Sequence, residues 1–166
     1  MSIENTEENT AEGVEELPLL NEEQNETMAK MEMEQNLPLA LLGGVLAAVL
    51  GAAIWASITV ITGYQIGFMA IGVGFLVGYA VRIFGKGIKP IFGVIGATFA
   101  LFGCILGNIF TMAYFGSVEL GMSFFEFLTV LEIAVIPELL VETFQPMDLL
   151  FYGFAIYEGF KFSFKA

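Results

Sequence analysis

Three long apolar stretches lie nearly end to end between Leu37 and Phe115, interrupted by one cluster of basic residues. Leu37 to Ile61, Tyr64 to Phe84 and Pro90 to Phe115 each hold about twenty or more mostly apolar residues, roughly what a helix needs to cross a hydrocarbon core of about 30 Å. The pattern predicts three membrane helices. Small residues recur along them at helical spacing: Gly44 and Ala48 in the first, Gly74 and Gly78 in the second, Gly103 and Gly107 in the third. Such stripes let helix backbones approach closely where no hydrophobic force drives helices together, so these six positions are the expected packing contacts.

Polar punctuation changes the picture after Phe115. Gly116 to Gln145 is apolar but carries Glu119, Glu126, Glu132, Glu138 and Glu142, and Pro137 breaks it. Each ionised carboxylate at a bilayer centre costs a few kcal/mol on insertion scales. Glu119, Ser123, Glu126 and Thr129 would share one face of a continuous helix, with Phe124, Leu128, Leu131 and Val135 opposite. That arrangement predicts an interfacial or re-entrant acidic helix. Met147 to Phe160 is shorter, with Pro146 and Asp148 as start signals and Lys161 and Lys165 beyond its end. It is expected to cross last, its lysines snorkelling. If 121–141 crosses instead, there are five spans. The expected fold class is therefore all-α, an integral membrane bundle of about four transmembrane helices.

The loops orient this bundle. Thr62-Gly63 is short and uncharged, whereas Arg82, Lys86 and Lys89 surround the second connection and are the candidate topology-setting residues. By the positive-inside rule that loop is cytoplasmic, and so is the N-terminus. Four spans put all six basic residues on one side.

Charge separates the chain into two expected domains, a disordered acidic cytoplasmic tail at 1–36 and a transmembrane helical domain at 37–166. The overall charge of −12 resides mostly in the tail, where eleven Glu face one Lys, Lys30. Few aromatic or β-branched residues occur there, so ordering entropy goes uncompensated. Asn21 to Gln35 has helix-forming composition, and Leu17-Pro18-Leu19-Leu20 is a small apolar island. No basic n-region precedes an apolar core in this tail, so the first membrane helix is expected to act as its own insertion signal. The tail is a candidate docking segment for a protein partner. Acidity of this degree argues against nucleic acid.

Composition excludes most chemistry. Hydrophobic residues make up 57% of the chain, too many for a soluble globule of 166 residues. With no histidine and a single cysteine, Cys104, there is no intramolecular disulfide, no Cys/His zinc site and no His-dependent general base. Cys104 reads as a small packed hydrophobe. Gly67, Gly72 and Gly74 lie in a lipid-length apolar run without a preceding strand or a Walker lysine, so they are no nucleotide loop. Gln65 and Asn108 are expected to hydrogen-bond between helices, and Glu158 to pair with Lys161 at i+3.

The run Tyr64-Gln65-Ile66-Gly67-Phe68-Met69-Ala70-Ile71-Gly72-Val73-Gly74-Phe75-Leu76-Val77-Gly78-Tyr79-Ala80-Val81-Arg82, with Asp148 to Gly159 near the C-terminus, resembles a set of uncharacterised small bacterial multi-pass membrane proteins. The resemblance covers roughly residues 38 to 162. It implies a bacterial inner membrane location and brings no activity with it. The N-terminal segment lacks the Cys pairs of a zinc ribbon, so no metal module carries over.

These readings lead to a non-enzymatic accessory or scaffold membrane protein without a cofactor, its partners the lipid bilayer, a soluble protein at the tail and, as a candidate, a second copy of the chain. The alternative is a small oligomeric cation transporter or channel using 119–148, with Glu126, Glu132 and Glu138 as candidate cation-facing residues.

Overall fold

The computed structural model describes residues 22–131 and 146–165. All regular elements among them are helices. The chain divides into two units between Gln35 and Asn36. The first contributes α1, at 22–33, within the segment whose composition favours a helix. The expected disorder of the earlier tail and the apolar island at Leu17 to Leu20 lie outside the described residues, as do Glu132, Glu138, Glu142 and the stretch 132–141 of the alternative fifth span.

The second unit contains α2 (Leu37–Thr62), α3 (Met69–Gly85), α4 (Pro90–Leu120), α5 (Phe124–Val130) and α6 (Pro146–Phe162). Local signals set these boundaries. The Asn36 side chain accepts the Leu39 N–H at 3.0 Å and caps α2, whose first turn holds Pro38. Gly63 ends the helix at φ 69°, a left-handed conformation that glycine adopts without a Cβ penalty. Pro90 opens α4 and Pro146 opens α6.

Three boundaries differ from the sequence reading. The second apolar helix begins at Met69, not Tyr64, and Gly63 to Phe68 form the connection. Gly63 turns left-handed with its N–H on the Thr59 carbonyl, which ends α2, and the chain does not resume a helix until Met69. The third helix continues past Phe115 to Leu120, since no breaker occurs before Gly121, which stops it at φ 67°. Glu119 therefore belongs to α4. The expected continuous face of Glu119, Ser123, Glu126 and Thr129 does not form, because Gly121 ends one helix and Ser123 caps the next.

α3 and α4 pack on each other, and each also packs against α2 and α6. Backbone hydrogen bonds join the elements at one end: Asn36 N–H donates to Gly85 O at 2.9 Å, and Lys165 N–H to Gly87 O at 3.0 Å. Gln65, Asn108 and Tyr152 meet toward the other. Successive long helices are thus antiparallel. Arg82, Lys86, Lys89, Lys161 and Lys165 collect at the first end, Glu119 and Asp148 toward the second.

The packing is inverted relative to a water-soluble helix bundle. On α2 the buried residues are glycines, alanines, Trp55 and Thr59, while Leu42, Leu46, Leu50 and Ile54 point outward, about half exposed. A soluble helix hides its large aliphatic residues. At 1.5 Å per residue α2 and α4 are about 39 and 46 Å long, and both are long and apolar enough to cross a membrane. α3 and α6 have 17 residues each.

Candidate functional site

The small residues singled out above occupy close contacts. A Cβ on Gly44 would strike the Phe99 ring at 2.6 Å. Gly103 lies against Val73 and the backbone of Ala48, which is fully buried. A Cβ on Gly78 would meet Phe162 Cβ at 2.9 Å, and on Gly107 the Trp55 ring at 3.1 Å. Gly74 faces the Ala155 backbone. Cys104 is fully buried among Val73, Ala100 and neighbouring core side chains.

Polar side chains gather in the half of the bundle bearing the α2–α3 connection. Gln65 Nε2 donates to Asn108 Oδ1 at 2.9 Å, and Asn108 Nδ2 donates to the Tyr152 hydroxyl. One buried amide thus ties the connection, α4 and α6 together. The expectation for Gln65 and Asn108 is realised, with Gln65 placed in the connection rather than inside a helix. Asp148, one turn before Tyr152, is buried as well. The sequence reading takes Asp148 only as a helix-start signal and gives Tyr152 no role. The available signal was their i, i+4 spacing on one face of an apolar helix.

Among the described residues, two buried polar atoms in the same region have no hydrogen-bond partner, Trp55 Nε1 and Thr59 Oγ1, one turn apart on α2. An unsatisfied buried polar group costs about 1–3 kcal/mol. Thr111 contrasts with them, donating to the Gly107 carbonyl at 2.8 Å.

Beside these groups is a cavity of about 460 Å³ lined by Thr59, Gly63, Gln65, Asn108, Thr111, Glu119 and the apolar Ile109, Met112, Ala113, Phe115, Gly116, Phe127 and Leu131. It runs along α4 from Asn108 to Glu119, eleven residues or about 16 Å of helix. Among the described residues its lining contains a carboxylate, neutral hydrogen-bonding groups and a large apolar wall, and no lysine or arginine.

The described acidic residues Glu119 and Glu126 do not converge on it together. Glu119 is in its lining, on an exposed stretch of α4. Glu126 has a local role: its carboxylate accepts the Ser123 N–H at 3.4 Å, and the Ser123 hydroxyl accepts the Glu126 N–H at 3.2 Å, a capping box that starts α5. Glu132 and Glu138 are outside the described residues. No group of three or more His, Cys, Asp or Glu that could hold a metal occurs among the described residues.

Arg82 is in the last turn of α3, Lys86 follows it in a left-handed conformation (φ 46°), and Lys89 precedes α4. The Lys161 ammonium stands over the Tyr157 and Phe162 rings, 5.4 and 5.8 Å from their centroids.

Comparison with protein-family models, curated proteins and solved structures finds no match to this chain.

Proposed function

We propose that the chain is an integral membrane protein of four spans that serves as a non-enzymatic scaffold or accessory subunit. The observation that carries this reading is the inverted packing. Large aliphatic side chains cover the outside of α2 while glycine and alanine fill the inside, an arrangement favourable only where the surroundings are themselves apolar. α3 and α6 are about 25 Å long, short of the hydrocarbon thickness, and their flanking aromatic and basic residues make up the difference by snorkelling or local thinning. The five cations of this unit share one end, which the positive-inside rule assigns to the cytoplasm. The acidic tail then enters the cytoplasm, where it meets a soluble protein.

The transporter reading draws on the acidic segment 119–148 with Glu126, Glu132 and Glu138, of which only Glu126 is among the described residues. Against it stands the half of the bundle near the cations, where helices meet backbone to backbone: Gly78 lies beside the Glu158 and Gly159 carbonyls, and Gly96 against Gly159 and Ser163. Packing of that kind supports a static bundle better than a path through it.

Two measurements test the proposal. With Cys104 changed to Ser, single cysteines at positions 63 and 165 are exposed to a membrane-impermeant thiol reagent in intact cells. Labelling at 63 and protection at 165 until lysis are expected, and labelling at both would end the four-span reading. Purified full-length chain in liposomes is expected to add no cation flux above empty vesicles. Flux that Glu119→Gln or Glu126→Gln abolishes would favour the transporter.

A further inference from the structure

The end of α6 returns to the α3–α4 connection, and cations far apart in the sequence meet there in two pairs. Lys165 donates its backbone N–H to the Gly87 carbonyl at 3.0 Å, which sets it beside Lys86. Arg82 and Lys161 each occupy the last turn of their helix. Those turns lie at similar height, since Gly78 packs on Phe162 and on the Glu158 and Gly159 carbonyls. Arg82 is half-buried, whereas Lys86, Lys161 and Lys165 are exposed. Both pairs therefore straddle one seam, between α3 and α6.

Aromatic rings line the same seam. Phe75, Tyr79 and Arg82 follow at i, i+4 and i+7 on one face of α3. The Phe75 and Tyr79 rings both lie against Phe162 of α6, with centroids 4.4 and 5.7 Å apart, and the Lys161 ammonium is 5.8 Å from the centroid of that same Phe162 ring. Phe75 and Tyr79 are each 41% exposed, so part of this stack faces outward. Among the described residues of the bundle, Glu158 is the only side-chain carboxylate in this half.

We propose that the α3–α6 seam binds an anionic phospholipid, its phosphate between Arg82 and Lys161, with Lys86 and Lys165 beyond it and its acyl chains along Phe75 and Tyr79. The planar fork of an arginine matches phosphate oxygens. Four cations reach the lower bound of the about four to eight that mark anionic-lipid recognition at a cytoplasmic membrane face. A zwitterionic lipid brings the same phosphate with an ammonium of its own, which these cations repel. The positive-inside rule explains why the cations share a side of the membrane, but not why they pair across one seam. The inference rests on the membrane reading, which places this end at the cytoplasmic leaflet.

Native mass spectrometry of the full-length chain in a neutral detergent measures the affinity of the first bound lipid, for phosphatidylglycerol and phosphatidylcholine with identical acyl chains. Phosphatidylglycerol is expected to bind about tenfold more tightly, and inorganic phosphate to leave no adduct. Arg82→Gln and Lys161→Gln are each expected to weaken phosphatidylglycerol about fivefold and leave phosphatidylcholine unchanged. Lys89→Gln, a cation before α4 that belongs to neither pair, should alter both lipids less than about twofold. Circular dichroism verifies the fold of each variant, and Lys161→Gln, at an exposed position, decides the matter if Arg82→Gln does not fold. The proposal is overturned if the two lipids bind equally, if inorganic phosphate matches phosphatidylglycerol, or if Lys89→Gln costs as much as Lys161→Gln. Equal lipid affinities in a chain whose cysteine labelling shows four spans remove the lipid site alone. Labelling at both 63 and 165 removes the four-span reading and this inference with it.

Discussion

Gly74 on α3 faces the backbone of Ala155 on α6 so closely that a Cβ at Gly74 would lie 2.5 Å from the Ala155 carbonyl oxygen and 2.8 Å from its Cα. The obstacle is backbone, which no side-chain rotation relieves. Gly74→Ala is expected to force the two helices apart and cost about 1–3 kcal/mol. Gly72, two residues earlier on the same helix, has no atom of another described element within 4 Å of a built Cβ. Gly72→Ala should be neutral or stabilising by up to about 1 kcal/mol through helix propensity. Thermal midpoints of the two variants in one detergent check the contrast, and equal midpoints would remove Gly74 as a packing contact.

Both glycines occur in the same apolar run, and the sequence offers little to tell them apart except the small-xxx-small pair that Gly74 makes with Gly78. Helical spacing marks a stripe of small residues, but which neighbour meets it depends on the pairing of helices distant in the chain.

Asn108 holds two partners at once, and a double-mutant cycle measures what that is worth. Asn108→Ala leaves Gln65 and Tyr152 without their amide partner and is expected to destabilise by about 1–3 kcal/mol. Tyr152→Phe should cost less. A coupling of about 0.6–1.7 kcal/mol between the two is the expected result, in the range of hydrogen bonds between membrane helices. A coupling indistinguishable from zero would show that the Asn108–Tyr152 bond contributes nothing.

Thr59 and Thr111 are both buried, yet they should respond oppositely to the isosteric change to Val. Thr59→Val removes a hydroxyl that has no partner, so stability should be unchanged or rise by about 1 kcal/mol. Thr111→Val deletes a bond to the Gly107 carbonyl and should cost about 0.5–1.5 kcal/mol. Chemical denaturation of the pair settles the matter, and a clear loss at Thr59 would mean its hydroxyl is satisfied.

The capping box of α5 predicts a local effect rather than a global one. Ser123→Ala removes the acceptor for the Glu126 N–H and is expected to weaken the helix by about 1 kcal/mol. Hydrogen exchange of the amides at 126–130 should speed up about fivefold while amides in α2 and α4 keep their protection. Uniform acceleration across all helices would instead tie α5 to the core.

Ser123 shows how a legible signal can be outweighed. Ser-Phe-Phe-Glu fits the capping-box pattern on inspection, yet the spacing of Glu119, Ser123 and Glu126 fits one helical face equally well. Gly121 decides between them by adopting a left-handed conformation that ends α4.

By itself the sequence determined that the chain is helical, where α2 and α4 begin, and that its outward surface is apolar. Those properties follow from periodicity, caps and proline, which act over a few residues. Only the tertiary structure decided that Gln65, Asn108 and Tyr152 converge, that Thr59 is buried without a partner among the described residues, and that Glu119 lines the same cavity as Thr59, Gln65 and Asn108. Contacts between residues more than forty positions apart depend on which helices pack together and at what height, and close-packed glycine faces fix that geometry without any local trace of the polar groups they bring together.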